Sequence, residues 1–215
     1  MASDDTGAAA RRAGTRKVGC VQGDLYITGD ADADRLLNTD ATALLVGMLL
    51  DQQVPLEWAF QGPATLRARL GHLDVARLAA MSEPDLVAAA CTKPAVHRFP
   101  AAMARRIHAL AAALVADWDG TPEQIWDGVD GAELKRRLRA LPGFGDEKAM
   151  ITVALLAKRF GVRPDGWEQA AGPFADDAPR SIADAASAEA LGRVKEWKRA
   201  QRAAGRTKQD PTAPA

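Results

Sequence analysis

The run Leu44-Leu45-Val46-Gly47-Met48-Leu49-Leu50 has no polar side. An α-helix turns about 100° per residue, so apolar residues at successive positions cover every face. Such a helix has to be enclosed by other elements rather than laid on a surface. Asp40 stands where an N-cap is needed to start it. A chain of 215 residues has enough material to enclose it, as one large domain or two small lobes. The enclosing elements should be helical as well. Aromatic residues make up only 5% of the chain, whereas alanine, leucine and arginine, all good helix formers, are abundant.

Helical signals recur along the chain. Pro55 suits the first position of a helix running to about Arg69. Ser82 with Asp85 forms a capping pattern before Leu86–Cys91. Met103, Ile107, Leu110 and Leu114 mark one face of a helix over Ala101–Trp118. Further helices are expected after Thr121, over Ala132–Ala140, over Asp146–Phe160, after Asp165, and from about Ser187 to Ala204. The one stretch with strand character is Val18–Thr28, where Gly23-Asp24 allows a small hairpin. The expected fold is therefore all-α with about ten helices. Residues 1–16 and 206–215 read as disordered tails, 17–165 as the main helical domain, and 166–205 as helices packing back on the N-terminal part.

Formal net charge is zero, so any nucleic-acid preference has to come from distribution. Seven basic residues between Arg193 and Lys208 face one acid, Glu196. A second cluster comprises Lys135, Arg136, Arg137 and Arg139. Both runs read equally well as solvated helix faces. The two cysteines, Cys20 and Cys91, cannot form a four-thiolate metal or iron–sulfur site, and a reducing cytosol is expected. His72, His97 and His108 lack paired metal-ligand spacing, and His97 reads as a surface residue. No apolar stretch is long enough to span a bilayer, and residues 1–16 lack the apolar core expected of a secretion signal.

Between two helical segments lies Leu141-Pro142-Gly143-Phe144-Gly145. Proline ends the first helix and the two glycines permit backbone angles that other residues resist. Asp146 and Glu147 then suit the positive end of the second helix, but Lys148 is disfavoured there unless a negative group is near. Free amides at such a turn can hold a DNA phosphate, and a phosphate would account for Lys148. The same pentapeptide also serves as an ordinary tight corner.

The longer string Leu141-Pro142-Gly143-Phe144-Gly145-Asp146-Glu147-Lys148-Ala149 resembles the hairpin of the helix-hairpin-helix (HhH-GPD) DNA glycosylase superfamily, which includes endonuclease III, the mispair adenine glycosylase and the alkylbase glycosylases. Leu49-Leu50-Asp51-Gln52-Gln53-Val54 is similar to the helix end where those enzymes extend a glutamine towards the base stack. The likeness covers roughly residues 44–165. It implies a two-lobed helical bundle that binds duplex DNA carrying a damaged or mispaired base. Gln53 would fill the gap left by the flipped base. Leu141, Gly143, Phe144, Gly145, Lys148 and Arg139 would meet the backbone. Gln52 and Trp58 would border the base pocket. Trp126, Phe60 and Phe99 either line it too or belong to the core.

The resemblance also implies an aspartate about twenty residues past the second hairpin glycine, and Asp165 stands there. Its setting, Arg163-Pro164-Asp165-Gly166-Trp167, departs from the family's valine–aspartate–threonine, and with Glu168 it equally forms a capping box. Glu147 occupies the position of the Schiff-base lysine, and Lys148 is one residue, about 100°, away. A monofunctional enzyme without lyase activity, metal or cofactor is therefore expected, monomeric and cytoplasmic at the nucleoid. The alternatives are a non-catalytic DNA-backbone binder and a helical protein whose basic C-terminal helix meets an acidic partner.

Overall fold

The computed structural model describes residues 22–210, which contain ten α-helices, three short 3-10 segments and no strand. The expected all-α, two-lobed architecture is what forms. One lobe comprises α1 (Ala31–Thr39), α2 (Ala41–Leu50), α3 (Leu56–Leu70), α4 (Val75–Ala80), α5 (Glu83–Cys91) and α6 (Pro100–Trp118). The other comprises α7 (Gly131–Ala140), α8 (Asp146–Arg159), α9 (Trp167–Ala171) and α10 (Ala188–Ala203).

Helix α2 is the enclosed helix: Thr42 to Leu50 are all buried. Asp40 caps it, accepting the Ala43 N–H at 3.0 Å. Its partner α3 approaches closely because glycines remove side chains at the contact. A Cβ on Gly47 would lie 2.6 Å from Phe60, and one on Gly62 would lie 2.3 Å from Leu50. Helix α8 is the second core helix, buried from Ala149 to Ala157.

Two helices were not expected from the sequence. In α1, Asp30 is the N-cap, and the buried Asp34 accepts from the N–H groups of Ile27 and Thr28 and from the Thr28 hydroxyl. Helix α4 has only six residues, which carry too little periodicity to recognise.

The hairpin expected over Val18–Thr28 falls partly outside the described residues, and residues 22–28 form no strand. Their backbone groups are used elsewhere. Gly23 N–H donates to the Asn38 carbonyl, Leu25 N–H to the Asn38 side chain, and Tyr26 N–H to the Ala185 carbonyl. This segment thus bridges α1 and the region before α10.

The expected tail over 206–215 is corrected for its first half. Residues 206–210 pack against the body, because the buried Arg180 donates to the carbonyls of Lys208 (3.0 Å) and Asp210 (2.6 Å). The tail over 1–16 lies outside the described residues.

A basic cleft beside a glycine hairpin

The hairpin is fixed by its apolar members. Leu141 and Phe144 are 3% and 5% exposed, so their side chains are packed inside and the turn offers its backbone rather than these side chains to a partner. They anchor the turn, leaving its backbone and glycines outward. Gly143 has φ +82°, and a Cβ there would lie 2.3 Å from Leu49 Cδ1, so glycine is required twice over. Gly145 is the N-cap of α8, with open space around it and no side chain capping the helix. The first N–H groups of α8 therefore have no intrahelical partner, as at any helix start.

Lys148 is turned inward rather than towards a phosphate. Its ammonium donates to the carbonyls of Met48, Leu49 (3.2 Å) and Asp51 (3.5 Å) at the C-terminal end of α2. The negative end of the α2 dipole is the partner that the sequence left open. Burial lowers its pKa to about 8, with Asp51 partly opposing that shift. Lys148 thereby ties the hairpin to the turn that follows α2.

That turn carries both glutamines, and they part company. Gln52 faces inward: its amide nitrogen donates to the Leu49 carbonyl (2.8 Å) and its side-chain oxygen accepts from Arg106 (2.6 Å). Gln53 is exposed, with φ +56°, a left-handed conformation uncommon for a residue with a side chain. His97, expected at the surface, is 1% exposed and supports this turn through the Gln52 carbonyl. Arg106, exposed on α6, reaches both Gln52 and the neighbourhood of Gly143. Nothing in the α6 periodicity distinguished it from any solvated arginine.

Between this turn and α10 lies a cleft of about 740 Å³. One wall is basic: Lys195, Lys198, Arg199 and Arg202 of α10, with Lys208 beyond it. The other carries Asp51, Gln53 and Glu57. Glu57 is paired with Lys195, which together with its backbone holds the carboxyl below its ordinary pKa although burial opposes this. Asp51 has no ion pair among the described residues. Lys198 is lowered to about 8, chiefly by burial. Glu147, at the start of α8, binds Lys208 (3.0 Å) and Gln209 (3.3 Å). Burial pushes its carboxyl up, but these partners outweigh it and hold the pKa below normal.

The other expected site residues lie elsewhere. Asp165 is exposed at the turn before α9, and its carbonyl accepts the Gly131 N–H at 2.8 Å. Gly131 begins α7 and the hairpin follows its end, so Asp165 stands a ten-residue helix, about 15 Å, from Gly143. It does not cap α9, whose N-cap is Gly166. Trp58 is 39% exposed and donates to the Ala95 carbonyl (3.0 Å), turning towards the loop after α5 instead of the cleft. Phe60 and Trp126 are core residues, and Phe99 is 47% exposed. Arg139 is exposed beside the hairpin, 3.8 Å from Asp146, whereas Arg136 and Arg137 are occupied by Glu133. Among the described residues no cluster of His, Cys, Asp and Glu could hold a metal, and no helix is long and apolar enough to cross a membrane.

A family model described as HhH-GPD superfamily base excision DNA repair protein matches residues 46–209, a span that contains the hairpin, both cleft walls and Lys208. No curated protein and no solved structure matches the chain.

Proposed function

Since the chain belongs to the HhH-GPD superfamily of base excision DNA repair proteins, we propose that it is a DNA glycosylase hydrolysing the N-glycosidic bond of a damaged or mispaired base. It would act as a monomer on duplex DNA of the nucleoid. The observation that carries this reading is Asp51: facing the basic wall of the cleft beside the hairpin, it has no ion pair among the described residues, whereas the other acid lining the cleft, Glu57, is paired with Lys195.

The basic α10 wall of the cleft and the hairpin amides attract the phosphates, and Gln53 is exposed where a wedge is needed once a base leaves the stack. As the N-glycosidic bond breaks, the base takes the bonding electrons and positive charge builds on C1′ and the ring oxygen. A carboxylate beside the sugar stabilises that charge and orients the attacking water. Asp51 fits this role. Asp165, a helix length away, fits it poorly, which moves the assignment made from spacing. The hairpin itself offers no nucleophilic amine, because Glu147 holds the lysine position and Lys148 is occupied by α2. Base release by water is therefore the reading for the first step.

The test is a panel of duplex oligonucleotides bearing uracil, 8-oxoguanine, alkylated purines, hypoxanthine or mispaired adenine, incubated with protein and then treated with alkali. Asp51→Asn should lower base release about 100-fold at equal DNA affinity, and Asp165→Asn should leave it unchanged. The position of Asp165 also favours a second reading, a non-catalytic backbone binder. Salt-dependent DNA binding with no release from any oligonucleotide would establish that one instead.

A further inference from the structure

Four lysines stand in or beside the cleft, and three are committed. Lys148 donates to the carbonyls ending α2, Lys195 is paired with Glu57, and Lys208 is paired with Glu147. Lys198 makes no hydrogen bond or ion pair among the described residues. It projects from α10 into the same cleft as Asp51, whose charge it feels.

We propose that Lys198 is a nucleophilic amine that forms an imine with the abasic sugar left after base loss, giving the protein a strand-cleaving lyase step. The inference rests on the glycosylase reading of this cleft and adds a second step to the monofunctional activity. The amine would come from the C-terminal helix instead of the hairpin. Its nitrogen lone pair attacks the C1′ aldehyde of the ring-opened sugar and forms a C–N bond, while the carbonyl oxygen takes a proton. Loss of water gives the protonated imine. A base then removes a C2′ proton, a role open to Asp51 as the carboxylate lining the same cleft, and the C3′–O bond breaks with its electrons leaving on the phosphate. Water hydrolyses the imine, which returns the lysine and releases an unsaturated aldehyde. No oxidant or reductant takes part. Such a step requires an unprotonated amine, and burial supplies one near neutral pH by lowering Lys198 to about 8.

The assay uses the full chain and a 5′-labelled duplex with one preformed abasic site, so the identity of the damaged base does not enter. Borohydride reduces an imine to a stable amine, and a covalent protein–DNA adduct is expected. Lys198→Arg keeps the charge and the DNA affinity but cannot form the imine, and its adduct should fall to the level of a protein-free control. Lys93→Arg, in the exposed loop after α5, should retain the adduct in full. An adduct undiminished in Lys198→Arg, or none from wild-type protein that binds the abasic duplex, overturns the inference. Base release that persists without an adduct leaves the glycosylase reading standing, whereas a Lys198-dependent adduct without release of any base overturns that reading alone.

Discussion

His97 donates from Nε2 to the carbonyl oxygen of Gln52 at 2.8 Å, across 45 residues of sequence. Its other nitrogen accepts the Phe99 N–H at 3.0 Å, so Nδ1 carries the lone pair and the ring is neutral. A proton on Nδ1 would oppose that N–H directly. Burial accordingly lowers the His97 pKa, and Arg98, Arg106 and Lys148 add to the effect.

The sign of the pH dependence follows. The unfolded chain binds a proton near pH 6.5, before the folded protein does. The His97 contribution is complete above that pH and is lost as the pH falls below it. Thermal melts of wild type and His97→Gln should therefore converge between pH 7.5 and pH 5.5. At pH 7.5 the variant should be less stable by about 1–3 kcal/mol, the usual cost of breaking buried hydrogen bonds.

Lys148 gives a dependence of the same sign in a higher window. Its pKa falls from 10.5 to about 8 through burial, so the folded protein releases the proton first on raising the pH. Wild type should gain stability between about pH 8 and pH 10.5, and Lys148→Met should lose about half of that slope, because Lys198, lowered to about 8 in the same way, supplies the rest. Near pH 7 the variant should also be destabilised, because the carbonyls of Met48, Leu49 and Asp51 lose their donor. Denaturant unfolding across this range checks both.

The two hairpin glycines should respond differently. Gly143→Ala meets both the positive φ and Leu49, and should cost upwards of about 2 kcal/mol. Gly145→Ala has open space and an extended φ of −87°, and should cost less than about 1 kcal/mol. Chemical denaturation of the two variants provides the comparison.

Arg199 and Arg202 line the cleft on an exposed stretch of α10. Replacing either with alanine should weaken duplex binding and reduce the slope of log K against log salt by about 1. An unchanged slope in both would remove α10 from the DNA-binding surface.

The parts of this design visible in the sequence are those decided locally. The enclosed α2 follows from its apolar run, and the hairpin from a proline and a glycine, Gly143, whose angle and contacts admit nothing larger. The glutamine pair was found by its place at a helix end, but not the division of labour that turns Gln52 inward and Gln53 outward. That division depends on Arg106 and His97, 54 and 45 residues away. Lys148 is anomalous so near a helix start, yet its partner is the end of a helix about 100 residues earlier. Spacing alone points to Asp165, but Pro164-Asp165-Gly166 forms a turn whose carbonyl serves α7. Asp51 and Lys198 were recognisable only once α10 lay across from α2, because neither has a local pattern.

Arg180 gives the cleft a mechanical peculiarity. Its guanidinium grips Asp176, lies 5.2 Å from the Trp197 ring and holds the carbonyls of Lys208 and Asp210. The far rim is therefore held inside the second lobe at two points, Arg180 and Glu147 at the start of α8, and reaches the first lobe through the Lys195–Glu57 pair. Of these ties, only the Lys195–Glu57 pair spans the mouth of the cleft, so a strand entering between α10 and the α2 turn meets a gap bridged by one ion pair and backed by a rim anchored from within.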